Sequence, residues 1–192
     1  LTKIAMYKEN EAKNGYKLIL QNMHRTSNDI YLNLSNKDPV WRQVVQDVRF
    51  RKALNYALDK HEIVDTIFYG MASPAEMQGT ESNLEEANKL LDEMGMKKGP
   101  DGFRVGPDGK KFTIPFEVAL HGPDMADLTE LVIEQWKQLG LDVTMQQIDT
   151  TLHQTRMDAN ELKATIFWTH GPTMLWWSEW GQGFWAPIWW RW

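Results

Sequence analysis

The sequence contains no cysteine. Disulfides, thiolate metal sites and a cysteine nucleophile are therefore excluded, while the compartment stays open, because cysteine-poor chains occur both inside and outside cells. Long apolar runs are missing as well: none approaches the ~18 residues of a membrane span. The start, Leu1-Thr2-Lys3-Ile4, has no basic stretch followed by an apolar core, so no signal peptide is visible, and a mature or trimmed chain would look the same. Charge of one sign is scarce. A net charge of -5 over 192 residues is only mildly acidic, which argues against a phosphate-binding surface and a nucleic-acid partner.

The spacings that carry common catalytic chemistry are also missing. A phosphate-binding loop ending at Gly109-Lys110 needs a glycine where Arg104 stands. No Gly-x-Gly-x-x-Gly opens a helix, and no Gly-x-Ser-x-Gly elbow occurs. His24, His61, His121, His153 and His170 share no metal-ligand spacing, and His61-Glu62 reads as helix-start chemistry. Paired carboxylates such as Glu85-Glu86 fall on solvated helix faces. No enzymatic activity, metal or cofactor is expected.

What is present is ordinary for a globular chain: 42% hydrophobic and 24% charged residues, enough length to bury a core. Tyr16–Leu20 and Ile30–Leu34 read as short strands, and Asn36–Pro39 reads as a turn. Phe50, Ala53, Leu54, Ala57 and Leu58 form an apolar helical stripe over Val48–Leu58. Asp59 with Glu62, and Asn83 with Glu86, read as capping boxes opening two further helices, with Ile63, Val64, Ile67 and Phe68 as the buried side of the first. Gly99-Pro100-Asp101-Gly102 and Gly106-Pro107-Asp108-Gly109 are turns, the second joining Phe103–Val105 to Phe112–Leu120. A long amphipathic helix closed by Gly140, a strand at Leu141–Ile148, a short helix near Thr151–Ala159 and a strand at Leu162–Trp168 complete the pattern. Helices and strands interleave, so the class is α/β or α+β with a mixed sheet.

One feature is far from average. The chain has ten tryptophans, and Trp168, Trp176, Trp177, Trp180, Trp185, Trp189, Trp190 and Trp192 crowd the last stretch. Exposed aromatic surface is an aggregation liability, so the natural protein is expected to continue past Trp192.

The run Asp47-Val48-Arg49-Phe50-Arg51-Lys52-Ala53-Leu54-Asn55-Tyr56-Ala57-Leu58-Asp59-Lys60-His61-Glu62-Ile63-Val64 resembles the helix-pair signature of family 5 extracellular solute-binding proteins, the oligopeptide- and dipeptide-binding group of ABC importers. Ile30-Tyr31-Leu32-Asn33-Leu34 resembles the strand leading into that pair. Gly70-Met71-Ala72-Ser73-Pro74, Glu86-Ala87-Asn88-Lys89-Leu90-Leu91 and Trp136-Lys137-Gln138-Leu139-Gly140 follow in family-like order, so the resemblance spans about Tyr16 to Trp192.

The resemblance implies an α/β, type II periplasmic-binding-protein-like lobe with a mixed sheet flanked by helices. Residues 1–192 would form most of the C-terminal lobe of a longer bilobal protein that closes over its ligand, with 168–192 running on into further residues. It further implies an extracytoplasmic protein, in the periplasm or membrane-anchored at the cell surface, monomeric at full length and partnered by a solute and a cognate ABC permease. In peptide-binding relatives a strand ends in a Trp followed three residues later by an Asp that pairs with the peptide ammonium. Here Trp168 matches, but Gly171 holds the Asp position. An ammonium buried without a carboxylate carries a large desolvation cost. Indole faces suit sugar C–H faces instead, and indole N–H groups donate to hydroxyls. The expected ligand is therefore uncharged, such as an oligosaccharide, with Trp168, His170, Gly171, Trp176, Trp177 and Trp180 as candidate ligand-binding residues. An oligopeptide ligand anchored by another acid such as Glu179, and a protein-interaction module using the aromatic tail, are the alternatives. Trp168 packed in the core would equally suit a strand end, and His170 an exposed loop.

Overall fold

The computed structural model describes residues 3–19, 26–74, 81–119, 122 and 124–170. The chain divides into two compact units, residues 29–167, and residues 1–28 with 168–192. In the second of these, α1 (Ile4–Glu9) and α2 (Glu11–Asn14) follow one another, and Gly15 ends α2 in the left-handed region. Residues 16–19 form no strand, contrary to the sequence expectation. Their polar partners lie back along the chain: the Tyr16 hydroxyl donates to the Tyr7 carbonyl and the Leu18 amide to the Glu11 carboxylate.

The larger unit begins within β1 (Thr26–Leu32). The expected turn at 36–39 is the start of a helix, α3 (Pro39–Gln46). Asp38 accepts from the Val40 and Trp41 amides at 2.9 and 3.2 Å, and Pro39 takes the first helical position, where its missing N–H costs nothing. Asp47 caps α4 (Val48–Tyr56), which buries Phe50, Ala53 and Leu54 as the stripe predicts. Asp59 caps α5 (Lys60–Phe68) through the His61 and Glu62 amides. The reciprocal half of that box is supplied from elsewhere. Gln135 accepts from the Asp59 amide at 3.1 Å and donates to the Glu62 carboxylate at 2.7 Å. Ile63, Val64, Ile67 and Phe68 are half-buried rather than buried. Asn83 caps α6 (Leu84–Glu93), whose Ala87 and Leu91 are fully enclosed.

The sheet is four-stranded in the order β1-β4-β2-β3, with β2 (Thr113–Ala119), β3 (Asp142–Ile148) and β4 (Ala164–His170). β2 runs parallel to both its neighbours. The crossovers are α7 (Asp124–Lys137) and α8 (Thr150–Asp158). Alternation along β2 separates them. Phe116 meets Trp136 of α7 at 5.6 Å between ring centroids, whereas its neighbour Glu117 pairs with Arg156 of α8 at 2.9 Å. Thus α7 and α8 cover opposite faces. The α7 face is apolar, and the Trp136 indole N–H donates to the Leu54 carbonyl at 3.0 Å, joining α7 to α4. Trp41 stacks on Phe112 at 5.7 Å and Phe50 meets the same ring edge-on at 5.6 Å, so α3 and α4 close over the residue that leads into β2.

One charged side chain lies wholly inside. Arg104 is 1% exposed, in a segment where Lys98 bridges Arg104 and Val105 bridges Lys111 in antiparallel fashion. A guanidinium carries five N–H donors, and each has an acceptor. Nε donates to the Leu139 carbonyl at 2.7 Å. Nη1 reaches the Asp92 carboxylate at 2.6 Å and the Met96 carbonyl, and Nη2 reaches the side-chain oxygen of Asn88 at 2.7 Å and its carbonyl at 3.4 Å. The Arg104 amide also donates to the Gly140 carbonyl at 2.7 Å. Gly140 adopts φ +76°, and a Cβ there would sit 2.8 Å from the Gly102 carbonyl oxygen, so only glycine fits.

Arg104→Ala is expected to lower the unfolding free energy by about 2–4 kcal/mol, because it strands the Leu139 and Met96 carbonyls while Asp92, 63% exposed, stays solvated. Arg104→Lys should recover little of it, because an ammonium offers three donors and no planar fork. Urea denaturation gives the values; a loss under about 1 kcal/mol for the alanine variant would contradict this account.

Candidate functional site

In an open α/β sheet, ligands bind outside the carboxyl ends of the strands, at the point where strand order reverses. Here β2 is followed by β3 on one side, and the chain then returns by α8 to β4 on the other. The reversal lies between β2 and β4. Their register pairs Phe116 with Ala164, which carries Phe167 level with Ala119, the last residue of β2. The larger unit ends at Phe167, and β4 continues through Trp168, Thr169 and His170. Two of the sequence-predicted residues, Trp168 and His170, thus belong to the terminal part of β4. Gly171, Trp176, Trp177 and Trp180 lie outside the described residues.

The lower end of β4 is fixed by an asparagine-rich contact that sequence reasoning did not find. The Asn33 amide donates to the Lys163 carbonyl at 2.9 Å, and its side chain donates to the Leu162 carbonyl at 2.7 Å and to Asn160 at 2.8 Å. Asn160, held at φ +58°, returns a hydrogen bond to the Ser35 carbonyl at 3.0 Å. The Trp41 indole N–H donates to the Asn33 carbonyl at 2.9 Å, so the same loop is tied to the core. Lys163 closes the contact with an ion pair to Asp38 at 2.7 Å, its ammonium 5.6 Å from the Trp41 ring centre. The Asp38 carboxyl is held below its ordinary range, chiefly by that Lys163 hydrogen bond and then by the Trp41 amide.

The middle of β4 is fixed from the α8 side. His153, 1% exposed and the one fully buried residue of α8, places Nε2 2.9 Å from the Thr165 hydroxyl. Its ring lies parallel to that of Phe167, 6.3 Å between centroids. Among the described residues no group of three or more His, Asp or Glu side chains is placed to hold a metal, and no helix is long and apolar enough to cross a membrane.

The family model described as bacterial extracellular solute-binding proteins, family 5 Middle, matches residues 2–189. The chain belongs to this family. Among its curated relatives, the oligopeptide-binding protein OppA of Lactococcus lactis subsp. cremoris (strain SK11) is 27% identical over 164 residues, 73% of this chain and 27% of the relative. The heme-binding protein A of Haemophilus influenzae is 27% identical over 134 residues, 63% of this chain and 23% of the relative. The chain therefore spans about a quarter of the length of these relatives. Among solved structures, an oligopeptide-binding protein OppA superposes with a TM-score of 0.73 at 27% identity, covering 97% of this chain and 31% of the other. Bacillus subtilis AppA in complex with a nonapeptide gives a TM-score of 0.71 at 24% identity, covering 86% of this chain and 35% of that one. The periplasmic binding protein MelB of Agrobacterium fabrum C58, in complex with stachyose, gives 0.67 at 20% identity, covering 76% and 26%. The fold is that of the type II periplasmic binding proteins, as the sequence resemblance implied.

Because Asp38 titrates lower in the folded chain, the unfolded chain binds more protons below about pH 4. The stabilising contribution is present above the unfolded value and lost as pH falls through the folded one. In Asp38→Asn the cap is kept and the ion pair is lost, so stability should decline less steeply between about pH 6 and pH 3. Urea midpoints measured across that range would show identical slopes for both proteins if Asp38 made no contribution.

Proposed function

We propose that this chain is most of the C-terminal lobe of an extracytoplasmic solute-binding protein serving an ABC importer, and that it captures an uncharged solute such as an oligosaccharide in a cleft between lobes. The observation that carries the binding reading is the end of β4, which continues past the strand-order reversal and bears Trp168 and His170. Gly171, standing where peptide-binding relatives are expected to carry an Asp, favours the neutral solute. An indole at that position can stack on a sugar ring and donate to a hydroxyl, whereas a free ammonium finds no carboxylate from this strand end. Trp176, Trp177 and Trp180 extend the candidate binding surface. The partners are the solute and a cognate permease, and the full-length protein acts as a monomer. Binding, rather than catalysis, is the activity. The MelB complex with stachyose shows that a protein of this fold takes an oligosaccharide.

A second reading has support in the relatives named for oligopeptides, and in Glu179, which could offer the missing carboxylate. The two separate cleanly in the full-length parent. A thermal-shift screen with stachyose and related glycans, beside a panel of short peptides, should show stabilisation by glycans alone. A ligand at a hundred times its dissociation constant contributes about 2.7 kcal/mol, which moves the midpoint by a few degrees. Trp168→Ala should abolish the shift. Stabilisation by peptides alone, lost in Glu179→Ala, would overturn the neutral-solute reading. A concentration-dependent complex without any small ligand would favour docking through the aromatic tail.

A further inference from the structure

The contacts of α8 with the sheet include polar ones. Leu152 of α8 is exposed and Met157 half-buried, while Arg156 pairs with Glu117 and His153 is buried. A buried imidazole without a partner carries a desolvation penalty that an apolar residue would avoid. It is stabilising only with its hydrogen bond made, and so it fixes one arrangement of its neighbours.

His153 makes that bond to the strand that continues into the candidate site. Side chains alternate along β4, so Thr165 and Phe167 face α8 together. His153 engages both, the first by hydrogen bond at 2.9 Å and the second by parallel ring contact at 6.3 Å. The very next residue is Trp168. Glu117, Arg156 and Glu161 anchor the other end of α8: Arg156 lies 2.9 Å from Glu117 and 4.0 Å from Glu161. With α8 held there against β2, the imidazole is fixed in place and can fix β4 in turn.

We propose that His153 is a positioning residue for ligand capture, holding β4 at Thr165 and Phe167 and so fixing the stretch of strand that runs on into Trp168. The ligand-binding part of this inference rests on the function proposed above; the effect on Trp168 does not. His153→Phe keeps a ring against Phe167 and removes Nε2; Thr165→Val keeps the shape and removes the hydroxyl. His153→Gln restores a polar group near the Nε2 position and serves as the rescue.

The test uses the full-length parent labelled with 5-fluorotryptophan, with the Trp168 resonance assigned by its loss in Trp168→Phe. In both single variants the Trp168 fluorine signal should shift or broaden. The double variant should show no further change, because one bond has been removed twice, and His153→Gln should restore much of the original line. Titration with stachyose and with a nonapeptide should show whichever probe binds the wild type binding about fivefold to tenfold more weakly in both single variants. A Trp168 signal unmoved in folded variants, whatever happens to their melting midpoints, would overturn the proposal. Should His153→Phe fail to fold, Thr165→Val decides alone. Wild-type protein binding only the nonapeptide would overturn the neutral-solute reading and leave the fluorine result to decide this one.

Discussion

A guanidinium taken out of water must find acceptors for five N–H groups, and this requirement organises the larger unit. Arg104 finds them on the side chains of Asn88 and Asp92 within α6 and on the carbonyls of Met96 and Leu139, in the segments that follow α6 and α7. The cation thus lies beside the C-terminal ends of both helices, where positive charge is favoured. Because its backbone also binds Gly140, the same residue sets where β3 can begin. One side chain thereby ties together α6, the loop that carries Arg104 and the loop between α7 and β3.

From that alignment the two sides of the sheet take different characters. On the α7 side the contacts are apolar and aromatic, with Phe116, Trp136, Ile114 and Val118 enclosed. Toward α8 they are polar and directional, through Glu117, Arg156, His153 and Thr165. Apolar contact supplies stability without fixing geometry closely; hydrogen bonds fix geometry at little net gain. The strand end that carries the candidate site is held by the second kind, above by His153 and below by Asn33 and Asn160.

Much of this fold was legible because its signals are local. Asp59 and Asn83 act as caps, the stripe from Phe50 to Ala57 is buried, and Gly95 and Gly140 end their helices at positive φ. The helix at Pro39 was missed because Asp-Pro serves both turns and helix starts, and only the Asp38 side chain's bonds distinguish them. Tyr16–Ile19 has strand-forming residues but finds its hydrogen bonds in α1 and α2 instead. The site was less legible. Trp168 was singled out by resemblance and His170 as a loop residue after the expected strand end, whereas β4 runs on through both. What holds that strand, from Asn33 to Leu162 and from His153 to Thr165, is a set of pairings between residues far apart or on different elements, which no periodicity reveals. Arg104 was noted only as a residue that spoils a phosphate loop.

The capping of α5 by Gln135 has a consequence for how the molecule breathes. A helix of nine residues with none fully buried would ordinarily fray by itself, exchanging its amides long before the core opens. Here the bonds that finish its first turn come from the last turn of α7, at a glutamine 3% exposed. Loosening the start of α5 leaves that buried amide without its Asp59 and Glu62 partners. The two helices are therefore expected to open together, with amide exchange at the start of α5 following α7 rather than the loop after α5.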